Sequence, residues 1–360
     1  MASPQEVLAQ LRSIPYPGFS RDIVSFGVVK DIAIDSEGVT IIVAPTTDDR
    51  EIIRQICERI DETVTAMNVG QVRIRITAPP QRAGAAAAPA HPRGPMPIPG
   101  IKHIIAVASG KGGVGKSTVA TNLAVALSER FGRIGLLDAD VYGPSIPVML
   151  GIRERPRSTE NKRLVPVTAH GLTVISMGLF LGEHAPAIWR GPMLTKLLGE
   201  FFRNVEWGEL DCLVLDLPPG TGDVQLTITQ QIALTGGLIV TTPQDVALLD
   251  VKRGIAMFQQ VKAPVLGVVE NMSYHLCSQC GERAEIFGHG GGARMAEQMD
   301  VPFLGEIPLY REVRTAADEG TPIVLSQPDH AASRALRAIA DRVAARLADA
   351  PADTQAPLAS

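Results

Sequence analysis

Residues 110 to 117 read Gly110-Lys111-Gly112-Gly113-Val114-Gly115-Lys116-Ser117, which satisfies the pattern G-x-x-x-x-G-K-[ST]. The apolar run Ile104 to Ala108 leads into it, and Val119 to Ser128 follows with helical character. A strand that turns through glycines into a helix aims backbone N–H groups into the turn, where the positive end of the helix dipole reinforces them. That geometry suits phosphate oxygens. Lys116 is expected to reach the β- and γ-phosphates of a bound ATP, and Ser117 to ligate its Mg²⁺.

The pattern around this loop alternates strand and helix. Ile104 to Ala108, Ile134 to Leu137, Leu172 to Ser176, Cys212 to Leu217, Leu238 to Thr241 and Val265 to Val269 are mostly unbroken apolar runs, as expected of strands covered on both faces. Helical segments separate several of them, which predicts an α/β fold with a mostly parallel sheet flanked by helices over residues 101–348. A small α/β domain is expected at 1–78. It would hold a short helix at Glu6 to Leu11, extended segments at Ile23 to Val29 and Lys30 to Asp35, a turn at Ser36-Glu37-Gly38 and a strand from Val39 to Ala44. A helix carrying Ile52, Ile53, Ile56, Ile60 and Val64 follows, with Asp48 and Asp49 at its start, then a strand with Val72, Ile74 and Ile76 inward. Residues 79–100 are rich in proline and alanine and read as a semi-rigid linker, able to reach on the order of 60–70 Å when extended. Residues 349–360 read as a disordered tail.

Composition narrows the function. Aromatic residues make up 4% and the net charge is −4, so a nucleic-acid binder built on stacking or on phosphate neutralisation is not expected. No apolar stretch has the ~20 residues of a membrane span, and the first residues lack the basic-then-apolar order of a secretory signal. The 4 cysteines, Cys57, Cys212, Cys277 and Cys280, are too few and too unevenly spaced for a disulfide framework. A cytoplasmic location is expected.

Two strand ends carry carboxylates. Asp216 closes the run Cys212-Leu213-Val214-Leu215, where a parallel strand opens into a ligand crevice and a carboxylate can hold Mg²⁺. Asp138 and Asp140 follow Ile134 to Leu137 in the same way. Asp140 is the better candidate for orienting the attacking water, whereas Asp138 reads equally as a turn former. Pro218-Pro219-Gly220-Thr221-Gly222-Asp223 has the composition of a mobile loop that could sense the γ-phosphate. Cys277-Ser278-Gln279-Cys280 lets two thiolates reach one metal centre, yet a zinc or cluster site needs about four ligands. Cys57, on a helix face with Ile53, and Cys212, opening a buried strand, read as core thiols. The pair is therefore redox-active, half of a metal site completed across a two-fold axis, or incidental. Gly288-His289-Gly290-Gly291-Gly292 reads as a flexible turn before a helix at Ala293, with His289 solvated. Trp189 to Met193 reads equally as a partner contact and as ordinary packing. Leu336, Ile339, Val343 and Leu347 form one face of a terminal helix expected to pack on the sheet rather than on a membrane.

Taken in order, Val107 to Thr118, Leu136-Leu137-Asp138-Ala139-Asp140-Val141-Tyr142-Gly143-Pro144-Ser145, Asp216 to Asp223, Thr242-Pro243-Gln244 and Glu270-Asn271-Met272-Ser273 with the C-x-x-C resemble the Mrp/ApbC family. These are iron–sulfur cluster carrier P-loop NTPases of the MinD/ParA-like class. Residues 1–78 resemble the small iron–sulfur assembly domain often fused in front of them, with Tyr16-Pro17-Gly18 where that family often has Asp-Pro-Glu. The resemblance implies ATP hydrolysis and a homodimer holding a [4Fe–4S] cluster between Cys277 and Cys280 of both subunits. It implies delivery to apo iron–sulfur proteins, dealings with cluster assembly factors, and no stable membrane association. It implies that Lys111 reaches across the dimer to the partner's phosphates. It also places Asn271 at the adenine and Pro308 nearby, whereas by residue type alone Asn271 could cap a turn and Pro308 could end a strand. Two other readings compete: a positioning or partition ATPase acting on membrane or DNA, and a non-hydrolysing scaffold.

Overall fold

The computed structural model describes residues 4–17, 22–25, 27–34, 38–44, 50–67, 69–76, 95–180, 191–277 and 279–349. Expectations for Asp35 to Glu37, Asp48 and Asp49, residues 79–94, Trp189 and Arg190, and the tail from residue 350 fall outside them. The chain divides into two compact units, Met1–His91 and Pro92–Ser360.

The first unit has a three-stranded sheet. Val29–Ile34 runs antiparallel to Gly38–Val43, which pairs in parallel with Gln71–Ile76. Helices Pro4–Leu11 and Arg50–Thr65 lay Val7, Leu11, Ile56, Ile60 and Val64 against Val39 and Ile41. Residues 23–25 depart from the expected extended run. Asp22 Oδ1 accepts from the amides of Val24 at 3.0 Å and Ser25 at 2.8 Å, which bends the chain into a turn before the strand starts at Val29.

The second unit is built on an eight-stranded sheet. Its order runs Phe303–Ile307, Val265–Asn271, Gly236–Thr241, Ile101–Ala108, Leu210–Asp216, Ile134–Asp138, Leu172–Ser176 and Val167–Ala169. Every pairing is parallel except the last, a hairpin at the edge. This is an α/β P-loop NTPase fold. The six runs read from the sequence all lie in the sheet. The outer strands Val167–Ala169 and Phe303–Ile307 were harder to read because they are short and only partly buried.

The central strands are buried on both faces, so each face has its own core. On one, Lys116–Phe131 and Ala331–Ala348 pack Leu123, Leu127, Leu336, Ile339 and Val343 over Ile105, Val107 and Val214. On the other, Gly191–Arg203 and Asp245–Gln260 bring Leu198, Phe201, Ile255 and Phe258 onto Ile104, Leu213 and Ile239. Each such apolar side chain contributes roughly 1.5–3 kcal/mol by leaving water. Among the described residues, no helix is long and apolar enough to cross a membrane.

Candidate nucleotide site and cysteine hairpin

The register of the central strands sets the site. Asp216 lies opposite Val107 on one side and Asp138 on the other, so two carboxylates stand side by side at the carboxyl ends of parallel strands. The Gly110–Ser117 loop arches beside them, and the helix after it begins at Lys116. Gly113 and Gly115 have φ of +81° and +80°, a backbone conformation that favours glycine. Gly112 and Gly113 line the cleft over the loop, and a Cβ on either would meet nothing within 4 Å. Gly110 is glycine for another reason, since a Cβ there would stand 1.9 Å from Cβ of Asp250 on the neighbouring helix. The cleft over the loop measures about 250 Å³ and is lined by Lys111, Lys116, Ser117, Thr118, Asp140 and Pro219, among others.

Inside it, the Lys116 ammonium lies 2.6 Å from Asp216 Oδ1 and 3.3 Å from the Ser117 hydroxyl. Asp216 Oδ2 is buried with no hydrogen-bond partner. An acceptor left bare in this way is rare in a folded core and suits a hydrated cation, so this donor set fits Mg²⁺. Burial pushes the Asp216 carboxyl up from the ordinary range, against the pull of Lys116.

Asp138 is differently placed. Its Oδ1 accepts from the Asp140 amide at 3.1 Å, and its Oδ2 accepts from the Ser176 hydroxyl at 2.8 Å and the Ile146 amide at 3.3 Å. These bonds tie three segments together behind the cleft. Burial, then the Asp216 charge, push its carboxyl up to about 7. Asp140 lines the cleft, with Oδ1 accepting from the amides of Tyr142 at 3.1 Å and Gly143 at 3.2 Å. The loop 217–222 is joined to the site through the Gly220 amide, which donates to Ser109 O at 3.0 Å.

Asn271 ends its strand behind the phosphate loop, where its Nδ2 donates to Val114 O at 2.8 Å. Gly115 leaves room for that amide, since a Cβ there would come within 2.2 Å of it. Pro308 follows the strand Phe303–Ile307 and is buried.

Cys277 and Cys280 are not among the residues lining the cleft. They sit in the loop of a small hairpin, in which His275–Leu276 pairs with Arg283–Ala284. Cys280 is exposed and Cys277 half-buried. Amides of Cys280 and Gln279 point at the Cys277 sulfur and pull its thiol below the usual range. By contrast, burial pushes the thiols of Cys57 and Cys212 up; Cys212 is packed in the sheet as expected, whereas Cys57 is only half-buried on its helix.

His289 departs from its expected solvated state. Its ring lies 3.9 Å from Glu270 and 3.6 Å from Glu306, and Arg283 Nη2 stands 3.0 Å from it. The helix after it starts at Gly291 rather than at Ala293, with Gly290 in the left-handed conformation before it. Glu270 itself is fully buried. The sequence signal for it was a single acidic residue in the apolar strand Val265-Leu266-Gly267-Val268-Val269-Glu270.

A sequence profile described as NUBPL iron-transfer P-loop NTPase matches residues 100–344. One described as iron-sulfur cluster assembly protein matches residues 4–76. The iron-sulfur cluster carrier protein of Synechocystis is 41% identical over 359 residues, which cover 96% of this chain and 98% of that one. Its counterpart in Escherichia coli K12 is 51% identical over 251 residues, 69% of this chain and 68% of the other. A solved nucleotide-binding protein from Archaeoglobus fulgidus, in complex with ADP, is 39% identical with a TM-score of 0.57, over 64% of this chain and 90% of its own. The cell division ATPase MinD of Pyrococcus furiosus shares the fold, at 21% identity and a TM-score of 0.53 over 68% and 99% of the two chains.

Proposed function

The chain belongs to the NUBPL iron-transfer P-loop NTPase family, and we propose that it is an ATP-driven carrier which holds a [4Fe–4S] cluster between two copies of itself. The observation that carries this reading is the cysteine hairpin. Two thiols share one short loop, with Cys280 exposed and Cys277 half-buried, whereas Cys212 is sealed in the sheet and Cys57 is single on its helix. Two sulfurs are half of the ligand set of a cubane cluster, and a two-fold axis through a second copy supplies the rest. The cluster is cargo, received and handed on to apo iron–sulfur proteins. Residues 1–78 form a separate module, suited to dealings with cluster assembly factors because residues 4–76 match an assembly-protein profile.

In this reading the chain's own groups divide the work of hydrolysis. Backbone amides of Gly110 to Thr118 cradle the phosphates, and Lys116 leaves Asp216 to meet the β- and γ-oxygens. Ser117 and Asp216 would hold Mg²⁺, which when bound offsets the phosphate charge. Asp140, held by the Tyr142 and Gly143 amides, orients the attacking water. Lys111 lines the cleft and extends to the phosphates of the second copy. Asn271 and Pro308, at the ends of neighbouring strands, border the base. Closure around the γ-phosphate changes how the two hairpins meet, and with it the hold on the cargo. A positioning ATPase that lays its terminal helix on a membrane is the less favoured reading, because the apolar face of that helix is already inside the core.

The test is anaerobic reconstitution of the full chain, Cys277→Ala and Cys280→Ala, with iron and sulfide counted. About four irons per dimer are expected in the wild type and few in either variant. Equal iron in all three would remove the carrier reading.

A further inference from the structure

Two adjacent residues at the end of the strand Val265–Asn271 hold two different parts of the site. Asn271 grips the phosphate loop through Val114 O at 2.8 Å. Glu270 points the other way and grips the segment that follows the cysteine hairpin, at the start of the helix Gly291–Gln298. Its Oε2 accepts from the Gly292 amide at 2.6 Å, and its Oε1 accepts from the Gly290 amide at 3.1 Å and the Ser273 hydroxyl at 2.5 Å. The chain reverses at Met272, a non-glycine residue with φ of +56°, and this lets Ser273 fold back onto Glu270. Ser273 then leads directly into the hairpin strand His275–Leu276 and Cys277.

The far arm of the hairpin joins the same cluster. Arg283 lays its guanidinium over the Tyr274 ring at 3.8 Å, reaches His289 at 3.0 Å and Glu306 at 3.6 Å. The set Glu270, His289 and Glu306 has the donor types of a cation site. Here Arg283 supplies the positive charge, and the Glu270 oxygens are taken by amides and a hydroxyl. The cluster is therefore an anchor for the hairpin rather than a metal centre.

We infer that Glu270 is a positioning residue that couples the phosphate loop to the Cys277/Cys280 hairpin. A shift of the loop on binding ATP draws on Asn271, and the next residue back along a stiff strand moves the carboxyl that holds the segments entering and leaving the hairpin. The inference takes its purpose from the carrier reading, but the mechanical link can be measured without any cluster.

The test compares hydrogen exchange in the full chain and in Glu270→Gln, with and without a non-hydrolysable ATP analogue and Mg²⁺. A glutamine amide cannot accept from both glycine N–H groups and the serine hydroxyl at once. In the wild type the nucleotide is expected to change exchange in both residues 110–118 and residues 273–284. In Glu270→Gln the first response should persist and the second should vanish. A hairpin response of wild-type size in the variant would overturn the inference, as would a wild-type hairpin indifferent to nucleotide. Ser273→Ala, which deletes one donor and leaves the carboxyl, serves if Glu270→Gln does not fold, with a weakened hairpin response expected. Iron counted in the same wild-type preparation tests the carrier reading separately, since its absence leaves the exchange comparison intact.

Discussion

Lys116 and Asp216 form a buried pair, 2.6 Å apart with side chains 5% and 0% exposed. The pair joins the phosphate loop to the central strand before any nucleotide is present. Lys116→Ala removes the cation and leaves a buried carboxylate alone, which costs roughly 3–5 kcal/mol of stability. ATP hydrolysis should fall at least about a hundredfold, the scale of losing a charge-stabilising group at the reacting centre. The double variant Lys116→Ala/Asp216→Asn should regain much of the stability and none of the hydrolysis. Urea denaturation without nucleotide, with phosphate release measured alongside, checks both. A double variant no more stable than the single one would show that the pair is not what holds the loop.

Two glycines of the loop should respond oppositely to alanine. At Gly110 a methyl group would collide with Asp250, 1.9 Å from its Cβ, so overpacking should cost roughly 1–3 kcal/mol. At Gly112 a methyl group would meet no protein atom within 4 Å, so stability should change by about 0.5 kcal/mol or less. Gly112 lines the cleft, so the added methyl should crowd the phosphates and weaken ATP binding. Titration with a fluorescent ATP analogue, beside denaturation curves, separates the two effects. Full ATP affinity in Gly112→Ala would mean that the cleft beside Gly112 is not where phosphates sit.

These contrasts show what the sequence makes legible. Gly110 to Ser117 declares its local topology because the chemistry of a phosphate cradle requires glycines, a lysine and a hydroxyl at fixed spacing. Asp216 is legible as a strand end, since an apolar run followed by a carboxylate has few other meanings. Asp138 stood open between site and scaffold, because only three-dimensional pairing shows its oxygens spent on Asp140, Ser176 and Ile146. Glu270 and His289 lie 19 residues apart and meet only through the reversal at Met272, so neither spacing nor periodicity marks them. The turn at Ile23 to Ser25 was hidden behind β-favouring residues. One side chain, Asp22, outweighs their preference by satisfying two amides.

Asp138 should leave a mark on the pH dependence of stability. Its carboxyl is pushed up to about 7 in the folded chain from an ordinary value of 3.8, so between those values the folded state holds a proton that the unfolded state releases. Stability from this group therefore falls as pH rises from about 4 to about 7 and is level above. Asp138→Asn removes that slope. The lost acceptor oxygen adds a cost that does not vary with pH, so the stability difference between variant and wild type should move in the variant's favour from pH 4 to pH 7, by up to about 4 kcal/mol. Asp216, also raised by burial, adds a slope of the same sign that the substitution leaves in place. Urea denaturation at a series of pH values reads this directly, and parallel curves for the two proteins would rule it out.

The terminal helix offers a last discrimination, between a structural element and a detachable one. Leu336, Ile339, Val343 and Leu347 lie at 2%, 1%, 0% and 1% exposure against the P-loop helix side of the sheet. Arg337 adds a two-pronged contact, its Nε and Nη2 each 2.9 Å from a Glu129 oxygen, and further donates to Val324 O at 2.9 Å. Leu336→Ala should therefore cost roughly 2–5 kcal/mol, as a cavity in a packed core does. Arg337→Ala should cost less, because a partly exposed ion pair contributes only about 0–1 kcal/mol and salt weakens it. A helix that left the core to lie on a membrane would behave otherwise. Leu336→Ala would then lower vesicle binding and leave the denaturation midpoint in place. The expected result is the reverse: a lowered midpoint, and pelleting with anionic vesicles and ATP that is negligible in wild type and variant alike.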